Sequence, residues 1–219
     1  METYTLSFFH VITNSNKENL PMGHIWPKTK VETKSPDVSS KETKQTKVKI
    51  RKGTQRDLDA IKTINTDAFA APEERFSSLY LQAFLNEPHF YVAEFEDGKP
   101  VGFVFAARQR HFRGEIREYT EANKIEPMMI VKIAVVSSSR GQGIGTQLMK
   151  HINTVKYELE DEKEPAEKKA HCLYVRRSNV LAQKFYERLG FVVIHPIKAY
   201  YAAYSDVAGE DAIFMLKSF

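Results

Sequence analysis

The chain has 219 residues, enough for one domain of about 150 residues and a remainder. Hydrophobic residues make up 42% of it and charged residues 27%, and the net charge of +4 falls far short of that of a dedicated nucleic-acid-binding protein. No apolar run approaches the roughly 18 residues that span a membrane. The single cysteine, Cys172, excludes an internal disulfide framework and a multi-cysteine metal site. It favours a reducing compartment, cytoplasmic with a nuclear location also open.

Residues 1–46 differ in composition from the rest of the chain. Serine, threonine, asparagine and lysine dominate, and three prolines, Pro21, Pro27 and Pro36, interrupt any periodicity. The stretch KTKVETKSPDVSSKETKQTK has almost nothing to bury, so it cannot offset the entropy lost on ordering. We interpret residues 1–46 as a disordered tail, with a lysine-rich contact arm or targeting segment as the alternative. Residues 47–219 then form one domain.

Hydrophobic periodicity predicts an alternation of strands and helices along this domain. The predicted elements of the first half are a strand at 48–51, a helix capped by Thr54, a helix at 73–86, and hairpin strands at 90–95 and 101–105. A charged insertion at 108–127 follows. The second half comprises a strand at 128–136, a helix at 143–155, a solvated loop at 158–169, a strand at 173–175, a helix at 179–189, and strands at 191–194 and 212–216. This order predicts an α/β domain with a mixed sheet.

The strongest motif is the glycine-rich stretch SRGQGIGT at residues 139–146, between an apolar strand and an amphipathic helix. Glycines let the backbone approach a ligand closely, and the unpaired amides at a helix start favour an anion. The stretch therefore predicts a phosphate or pyrophosphate cradle. It is not a Walker loop, because no lysine precedes Thr146, and its G-x-G-x-G spacing differs from the dinucleotide fingerprint. The alternative is a helix start without a ligand, but the sequence shows no packing reason for three destabilising glycines.

Two motifs carry a resemblance to a known family. Residues 140–145, RGQGIG, resemble the R/Q-x-x-G-x-G/A loop of the GNAT acetyltransferase superfamily, which cradles the pyrophosphate of acetyl-CoA. Residues 178–191, SNVLAQKFYERLGF, resemble the family's N-x-x-A-x-x-F-Y-x-x-x-G-F segment. The strand order is also similar, and the resemblance covers residues 48–219. It implies a GNAT-type fold, with a central mixed six- to seven-stranded sheet flanked by four helices.

The resemblance implies where acetyl-CoA, the co-substrate, would bind, without any metal. In the family, the strand before the glycine loop separates from the next parallel strand, and the pantetheine arm enters between them. Backbone groups of four residues would bond the pantetheine amides, namely Ile133, Ala134, Val135 and Val136. The pyrophosphate would be held by Arg140, Gly141, Gln142, Gly143, Ile144, Gly145 and Thr146. Asn179 matches the position whose side chain reaches the pantetheine, and helix capping is its structural alternative.

Tyr186 matches the tyrosine that acts as general acid toward the departing thiolate in this family. Attack of an amine on a thioester expels a thiol of pKa about 8.5, which a phenol of pKa about 10 can protonate. The alternative is an aromatic side chain on the buried helix face beside Phe185. Because direct transfer needs no acyl-enzyme, we interpret Cys172 as a small buried side chain rather than a nucleophile.

The carboxy-terminal part resembles amino-terminal protein acetyltransferases of the Met-recognising type. Residues 198–201, KAYY, match the K-x-Y-Y segment with which those enzymes close over the first residues of the peptide. This resemblance makes Tyr200 and Tyr201 substrate-binding candidates. Phe69 falls where such enzymes place an aromatic residue beside the substrate.

The chain also departs from these relatives. They carry a tyrosine on the strand before the glycine loop and a histidine on the next strand, where this chain has Met129 and Tyr174. Their arrangement of bases is therefore not carried over. The insertion at 108–127 is reminiscent of arylalkylamine acetyltransferases, but their His-x-His is replaced by Val-Lys-Ile at residues 131–133.

The acceptor amine can be narrowed by its pKa. An α-amine of pKa about 7.8 is far more often neutral near pH 7 than an alkylamine of pKa about 10.4, a difference worth roughly 3.5 kcal/mol of help from a base. The sequence shows no evident general base near the predicted cofactor site. The candidates are Glu94, His111 and Glu126, which only flank the strands predicted to line that site. An α-amine is therefore the favoured acceptor.

These observations predict an acetyl-CoA-dependent N-acetyltransferase that acts on a protein or peptide N-terminal α-amine by direct transfer. Two alternatives stay open: a small-molecule amine acetyltransferase, with an arylalkylamine or polyamine as acceptor, and a catalytically weak acyl-CoA-binding scaffold. No nucleic acid, membrane or metal partner is predicted. A partner subunit is left open.

Overall fold

The computed structural model of the chain describes residues 46–69, 75–108, 112, 114–155, 168–201 and 210–219. Most of the predicted tail and of the predicted solvated loop at 158–169 lies outside the described residues, as does His111.

Seven strands form one mixed sheet, which confirms the predicted α/β architecture. The strands are β1 (Lys49–Lys52), β2 (Phe90–Glu94), β3 (Pro100–Arg108), β4 (Ile125–Val135), β5 (Lys168–Arg176), β6 (Val192–Ile197) and β7 (Ala212–Ser218). Their order across the sheet is β1-β2-β3-β4-β5-β7-β6. Among these described strands, β4 and β5 are the parallel pair, and the other neighbours are antiparallel.

Five α-helices lie in the described part of the chain, one more than the four predicted. They are α1 (Leu58–Ala68), α2 (Ser78–Phe84), α3 (Gly114–Ala122), α4 (Ile144–Thr154) and α5 (Val180–Arg188). Helix α2 is shorter than the predicted 73–86, because Ser77 caps it by accepting a hydrogen bond from the Tyr80 N–H at 3.3 Å. No helix in the described ranges is long and apolar enough to cross a membrane.

The additional helix, α3, corrects the prediction of a charged insertion at 108–127. Its buried residues are only Ile116 and Thr120, which lie one turn apart on the same face. The Thr120 hydroxyl donates to the Ile116 carbonyl at 3.0 Å, so this polar side chain is satisfied inside the helix. With so few apolar positions among charged ones, the helical period is hidden in the sequence. The same segment also contains the start of β4, at Ile125 rather than at the predicted residue 128.

The central strands are covered on both faces. Successive side chains of a strand point to opposite sides of a sheet. On one side, Tyr91 and Val104 belong to a buried cluster with Leu148 of α4. On the other side, the Phe84 ring of α2 stacks on Phe105 with ring centroids 4.3 Å apart. This division places α4 on one face of the sheet and α2 on the other.

A fully buried histidine makes the stability of this fold sensitive to pH. His171 lies on β5 with its ring edge-on to Phe219, at 4.7 Å between centroids. Burial lowers the pKa of His171 from 6.5 to about 4, a value that includes smaller contributions from Lys217 and His89. The native state therefore binds fewer protons than the unfolded state between these two pH values, so stability falls as pH decreases from about 6.5 toward 4.

We expect the free energy of unfolding to decrease by about 3 kcal/mol across this range on account of His171. His171→Leu removes the titrating group and keeps a side chain of similar volume. Urea unfolding at pH 7.5, 6 and 4.5 should therefore give a shallower dependence on pH for this variant than for the parent. Equal dependence in the two proteins would contradict the assignment.

Candidate active site

The parallel strands β4 and β5 pair over only five residue pairs, the last of which is Met129 opposite Cys172. Beyond it, β4 continues to pair with β3 as far as Val135, and β5 continues to pair with β7 as far as Arg176. The two strands therefore separate toward their carboxyl ends and leave a gap within the sheet. Backbone groups along such a gap can bond an extended ligand in place of a neighbouring strand.

Three of the four predicted pantetheine-binding residues, at positions 133–135, lie on the separated half of β4. The fourth, Val136, follows the strand and is bonded within the protein. Its N–H donates to the Val101 carbonyl at 2.9 Å, and its carbonyl accepts from the Ser139 N–H at 2.9 Å. The backbone groups of Val136 are therefore already engaged, as is the Val135 carbonyl, which accepts from Nε of Arg140.

A β-bulge interrupts the same half of β4. Phe105 lies opposite Lys132 and Ala106 lies opposite Ile130, so Val131 has no counterpart on β3. Bulges redirect side chains next to functional sites.

The ammonium group of Lys132 lies against two aromatic rings, 4.1 Å from the centroid of Phe69 and 3.8 Å from that of Phe76. The predicted acceptor-binding residue Phe69 therefore packs against the separated half of β4. We did not predict Lys132 or Phe76 as site residues. A signal for Lys132 was present in the sequence, because it is a charged residue within the otherwise apolar stretch 128–136.

The glycine loop lies between β4 and α4, as predicted. Gly141 and Gly143 have φ angles of 75° and 78°, in the left-handed region that favours glycine. Gly143 is the N-cap of α4, so the N–H groups of Ile144, Gly145 and Thr146 start the helix without intrahelical acceptors. Such a helix start suits the pyrophosphate that the motif predicts.

The third glycine of the motif has a packing role that we did not predict. A Cβ atom at Gly145 would lie 3.3 Å from Cζ of the Phe185 ring on α5. Glycine at this position therefore permits the close approach of α4 and α5. This finding corrects the expectation that no packing explains the three glycines.

The two long polar side chains of the loop bind the protein itself. Arg140 donates from Nε to the Val135 carbonyl at 3.1 Å and from Nη2 to the Ala68 carbonyl at 3.2 Å. Gln142 donates from Nε2 to the Ser138 carbonyl at 3.4 Å. In this conformation both side chains are directed to the protein, and the Arg140 N–H also donates within it, to the Ser137 carbonyl at 3.3 Å.

The end of α1 is tied to the start of the same loop. The Asp67 carboxylate accepts hydrogen bonds from the Ser137 N–H at 2.5 Å and from the Ser137 hydroxyl at 2.8 Å. These bonds lower the pKa of Asp67. Phe69 follows α1 directly, so the predicted acceptor residue and the glycine loop are held together.

Tyr186 lies on α5 in the buried cluster that also contains Ile130 and Leu173, the residues that follow the last β4–β5 pair. Burial raises the pKa of its phenol, and the neighbouring Tyr201 raises it further. Tyr186 is therefore a protonated phenol at physiological pH, which suits a proton donor and not a base.

Three further tyrosines cluster at the separated end of β5. Tyr174 on β5 stacks with Tyr200 at 4.6 Å between centroids, and the Arg176 guanidinium lies 4.2 Å from the centroid of Tyr201. Burial raises the pKa of Tyr174, with additional contributions from Cys172 and Tyr201. Tyr200 also lies edge-on to Tyr201 at 5.0 Å between centroids, so Tyr174, Tyr200 and Tyr201 form one aromatic cluster.

Asn179 caps α5, because its side-chain oxygen accepts a hydrogen bond from the Ala182 N–H at 3.0 Å. This bond confirms the structural alternative for Asn179. Nearby, Glu210 bonds both Ser178 and Arg176, which ties the start of β7 to the chain before α5.

Two of the three candidate general bases named from the sequence are engaged in ion pairs. The buried carboxylate of Glu94 accepts from Nε of Arg51 at 2.7 Å, and Glu126 is paired with Arg108 on the half of the sheet where β4 and β5 still pair. His111 lies outside the described residues.

Cys172 is fully buried at the last β4–β5 pair, and burial raises the pKa of its thiol. A buried, protonated thiol is a poor nucleophile. Within the described ranges, no group of three or more His, Cys, Asp or Glu side chains could hold a metal ion.

A gap between two parallel strands, followed by a glycine loop at a helix start, suits an extended ligand that ends in a phosphate or pyrophosphate. Residues 86–193 match the family described as acetyltransferase (GNAT) domain. An uncharacterised N-acetyltransferase of Methanocaldococcus jannaschii is 34% identical over 173 residues, covering 77% of this chain and 90% of the relative. An N-alpha-acetyltransferase of Sulfurisphaera tokodaii is 31% identical over 168 residues, covering 76% of this chain and 90% of the relative.

The fold is also similar to that of Arabidopsis thaliana Naa50, solved in complex with the bisubstrate analogue CoA-Ac-MVNAL. That structure has a TM-score of 0.56 and 22% identity, and the match covers 78% of this chain and 99% of Naa50. The chain belongs to the GNAT acetyltransferase family. It is an N-acetyltransferase with acetyl-CoA as co-substrate.

Proposed function

We propose that this enzyme acetylates the N-terminal α-amine of a protein or peptide, and that residues 47–219 carry the activity. The observation that carries the proposal is the aromatic cluster of Tyr174, Tyr200 and Tyr201 at the separated end of β5, with Tyr186 in the buried cluster that contains the neighbouring Leu173. Phe69 lies against the β4 side of the β4–β5 gap, through Lys132. Aromatic side chains on two sides suit an acceptor that enters as an extended chain.

In this proposal, acetyl-CoA lies along the separated half of β4. Backbone groups of residues 133–135 bond the pantetheine amides, and the amides of the glycine loop and the first turn of α4 hold the pyrophosphate. The left-handed Gly141 and Gly143 fit this role because no side chain obstructs the loop there. Asn179, besides capping α5, is proposed to contact the pantetheine, as the family resemblance implies.

The transfer itself needs one proton donor at the sulfur. The neutral amine nitrogen attacks the thioester carbon, a C–N bond forms, and the C–S bond then breaks. The leaving sulfur takes the proton of the Tyr186 hydroxyl, and the proton released by the amine restores the phenol through solvent. Because burial raises the pKa of Tyr186, the phenol holds its proton until the thiolate develops.

An α-amine is the acceptor that this site can use with the least help. Glu94 and Glu126 are engaged in ion pairs, and the raised pKa of Tyr174 makes it a poor base near neutral pH. An alkylamine would need roughly 3.5 kcal/mol more assistance in deprotonation than an α-amine. The name of the Sulfurisphaera tokodaii relative, an N-alpha-acetyltransferase, supports the same acceptor. So does the peptide conjugate bound to the structurally similar Arabidopsis enzyme.

The acceptor class is tested by comparing amines with the full-length chain. One peptide carries a free α-amine and no lysine, and its partner has the same sequence with a blocked α-amine and one added lysine. Tryptamine and spermidine represent the small-molecule alternative. We expect kcat/KM for the α-amine peptide to exceed that for the other acceptors by about 100-fold or more, following the amine pKa difference.

Thiol release gives the rate, and mass spectrometry of the product identifies the acetylated nitrogen. A small amine that matches the best peptide would replace this proposal with the small-molecule alternative. If acetyl-CoA binds and no amine is acetylated above the rate of thioester hydrolysis, the protein is an acyl-CoA-binding scaffold.

A further inference from the structure

The residues just before β1 lie against the cofactor loop, far away in sequence. The Thr46 hydroxyl donates to Oε1 of Gln142 at 2.9 Å. The Thr46 carbonyl accepts from Nε2 of Gln147, on the first turns of α4, at 2.8 Å. One residue therefore bonds both the glycine loop and the helix that follows it, across separations of 96 and 101 residues.

Gln142 lies at the conformationally freest point of this loop. It stands between Gly141 and Gly143, both in the left-handed region, so its neighbours leave the backbone many alternative conformations. Its side chain is held at both ends, because Nε2 donates to the Ser138 carbonyl while Oε1 accepts from Thr46. These two hydrogen bonds restrict the conformations of a loop whose glycines would otherwise allow many.

We infer that Thr46 is a positioning residue for acetyl-CoA binding, acting through Gln142 and Gln147. A loop that already holds its bound conformation loses less entropy when the ligand arrives. The Thr46 hydroxyl thus contributes to affinity without contacting the ligand. This inference concerns the cofactor and is independent of which amine is acetylated.

The inference also gives the chain before β1 a role. Thr46 is the last residue of the segment interpreted as a tail, yet its bonds belong to the cofactor site. A change that pulls this residue away from the loop would weaken acetyl-CoA binding while the chemistry at the gap stays intact.

The test is Thr46→Val in the full-length chain, with titration calorimetry of CoA and steady-state kinetics. Loss of one such hydrogen bond is expected to raise the Kd for CoA, and the KM for acetyl-CoA, by about 3- to 10-fold. The kcat at saturating acetyl-CoA should stay at the parent value. Thr46→Ser, which restores the donor, should restore the affinity.

Two further variants separate positioning from general destabilisation. Thr63→Val is the matched control, because the hydroxyl of the exposed Thr63 bonds the Asp59 carbonyl within α1, and it should leave the Kd unchanged. In a Gln142→Ala background, Thr46→Val should have no further effect on the Kd. An unchanged Kd for Thr46→Val alone, or an equal loss in the Gln142→Ala background, would overturn the inference.

Discussion

Replacing Tyr186 by phenylalanine is expected to lower kcat by about 10²- to 10⁴-fold, the loss typical of a missing general acid. The substitution keeps the ring, which packs with Phe185 and Phe191 at centroid distances of 5.2 and 5.7 Å. The CoA affinity and the thermal stability should therefore stay close to those of the parent.

A change of leaving group tests the proton-donor role directly. A thioester of a more acidic thiol needs less protonation, so it should recover part of the lost rate in Tyr186→Phe and little in the parent. Tyr91→Phe is the matched control, since Tyr91 is a buried tyrosine on β2 that packs edge-on to His151. A kcat within a few-fold of the parent, with no dependence of the ratio on the leaving group, would remove Tyr186 from the mechanism.

A carboxylate in the glycine loop is expected to have the second large effect. Gly143→Glu places a negative charge at the N-cap of α4, where the pyrophosphate is proposed to lie. Like charges brought together at a binding site cost several kcal/mol, so the Kd for CoA should rise by about 100-fold or more. Calorimetric titration with CoA measures this change.

The control for this variant is Gly143→Ala, because any side chain is strained at a φ of 78°. The alanine variant reports the strain alone, and the difference between the two variants reports the charge. Gly145 is unsuitable for this purpose, since a side chain there would first collide with Phe185. Equal Kd values for Gly143→Glu and Gly143→Ala would show that no anion binds at this loop.

Elements in which apolar residues recur with a clear period were predictable from the sequence, and so was the glycine loop. Helix α4 was predicted at 143–155 and found at Ile144–Thr154, and α5 was predicted at 179–189 and found at Val180–Arg188. Both helices carry a dense apolar stripe, which is a local signal. Helix α3 has only Ile116 and Thr120 on its buried face, which is too few for a period to be recognised.

The features that were missed depend on contacts between distant segments. The packing role of Gly145 requires Phe185, 40 residues later, and the support of Gln142 requires Thr46, 96 residues earlier. The point at which β4 and β5 separate is a property of their pairing, and neither strand shows it alone. The rotamer of Arg140 decides whether its side chain faces a ligand or the Val135 carbonyl. A sequence motif contains no information about rotamers.

The separation of β4 from β5 leaves the sheet as two blocks, β1–β4 and β5–β7–β6, joined by a seam of five residue pairs. Segments with few shared contacts open more easily than the rest of a fold. In the binding mode proposed above, the pantetheine arm occupies the place of the missing pairs. Acetyl-CoA would then complete the sheet as well as react in it, and binding to the folded state would stabilise the seam. Each release of CoA would return the two blocks to their weaker connection.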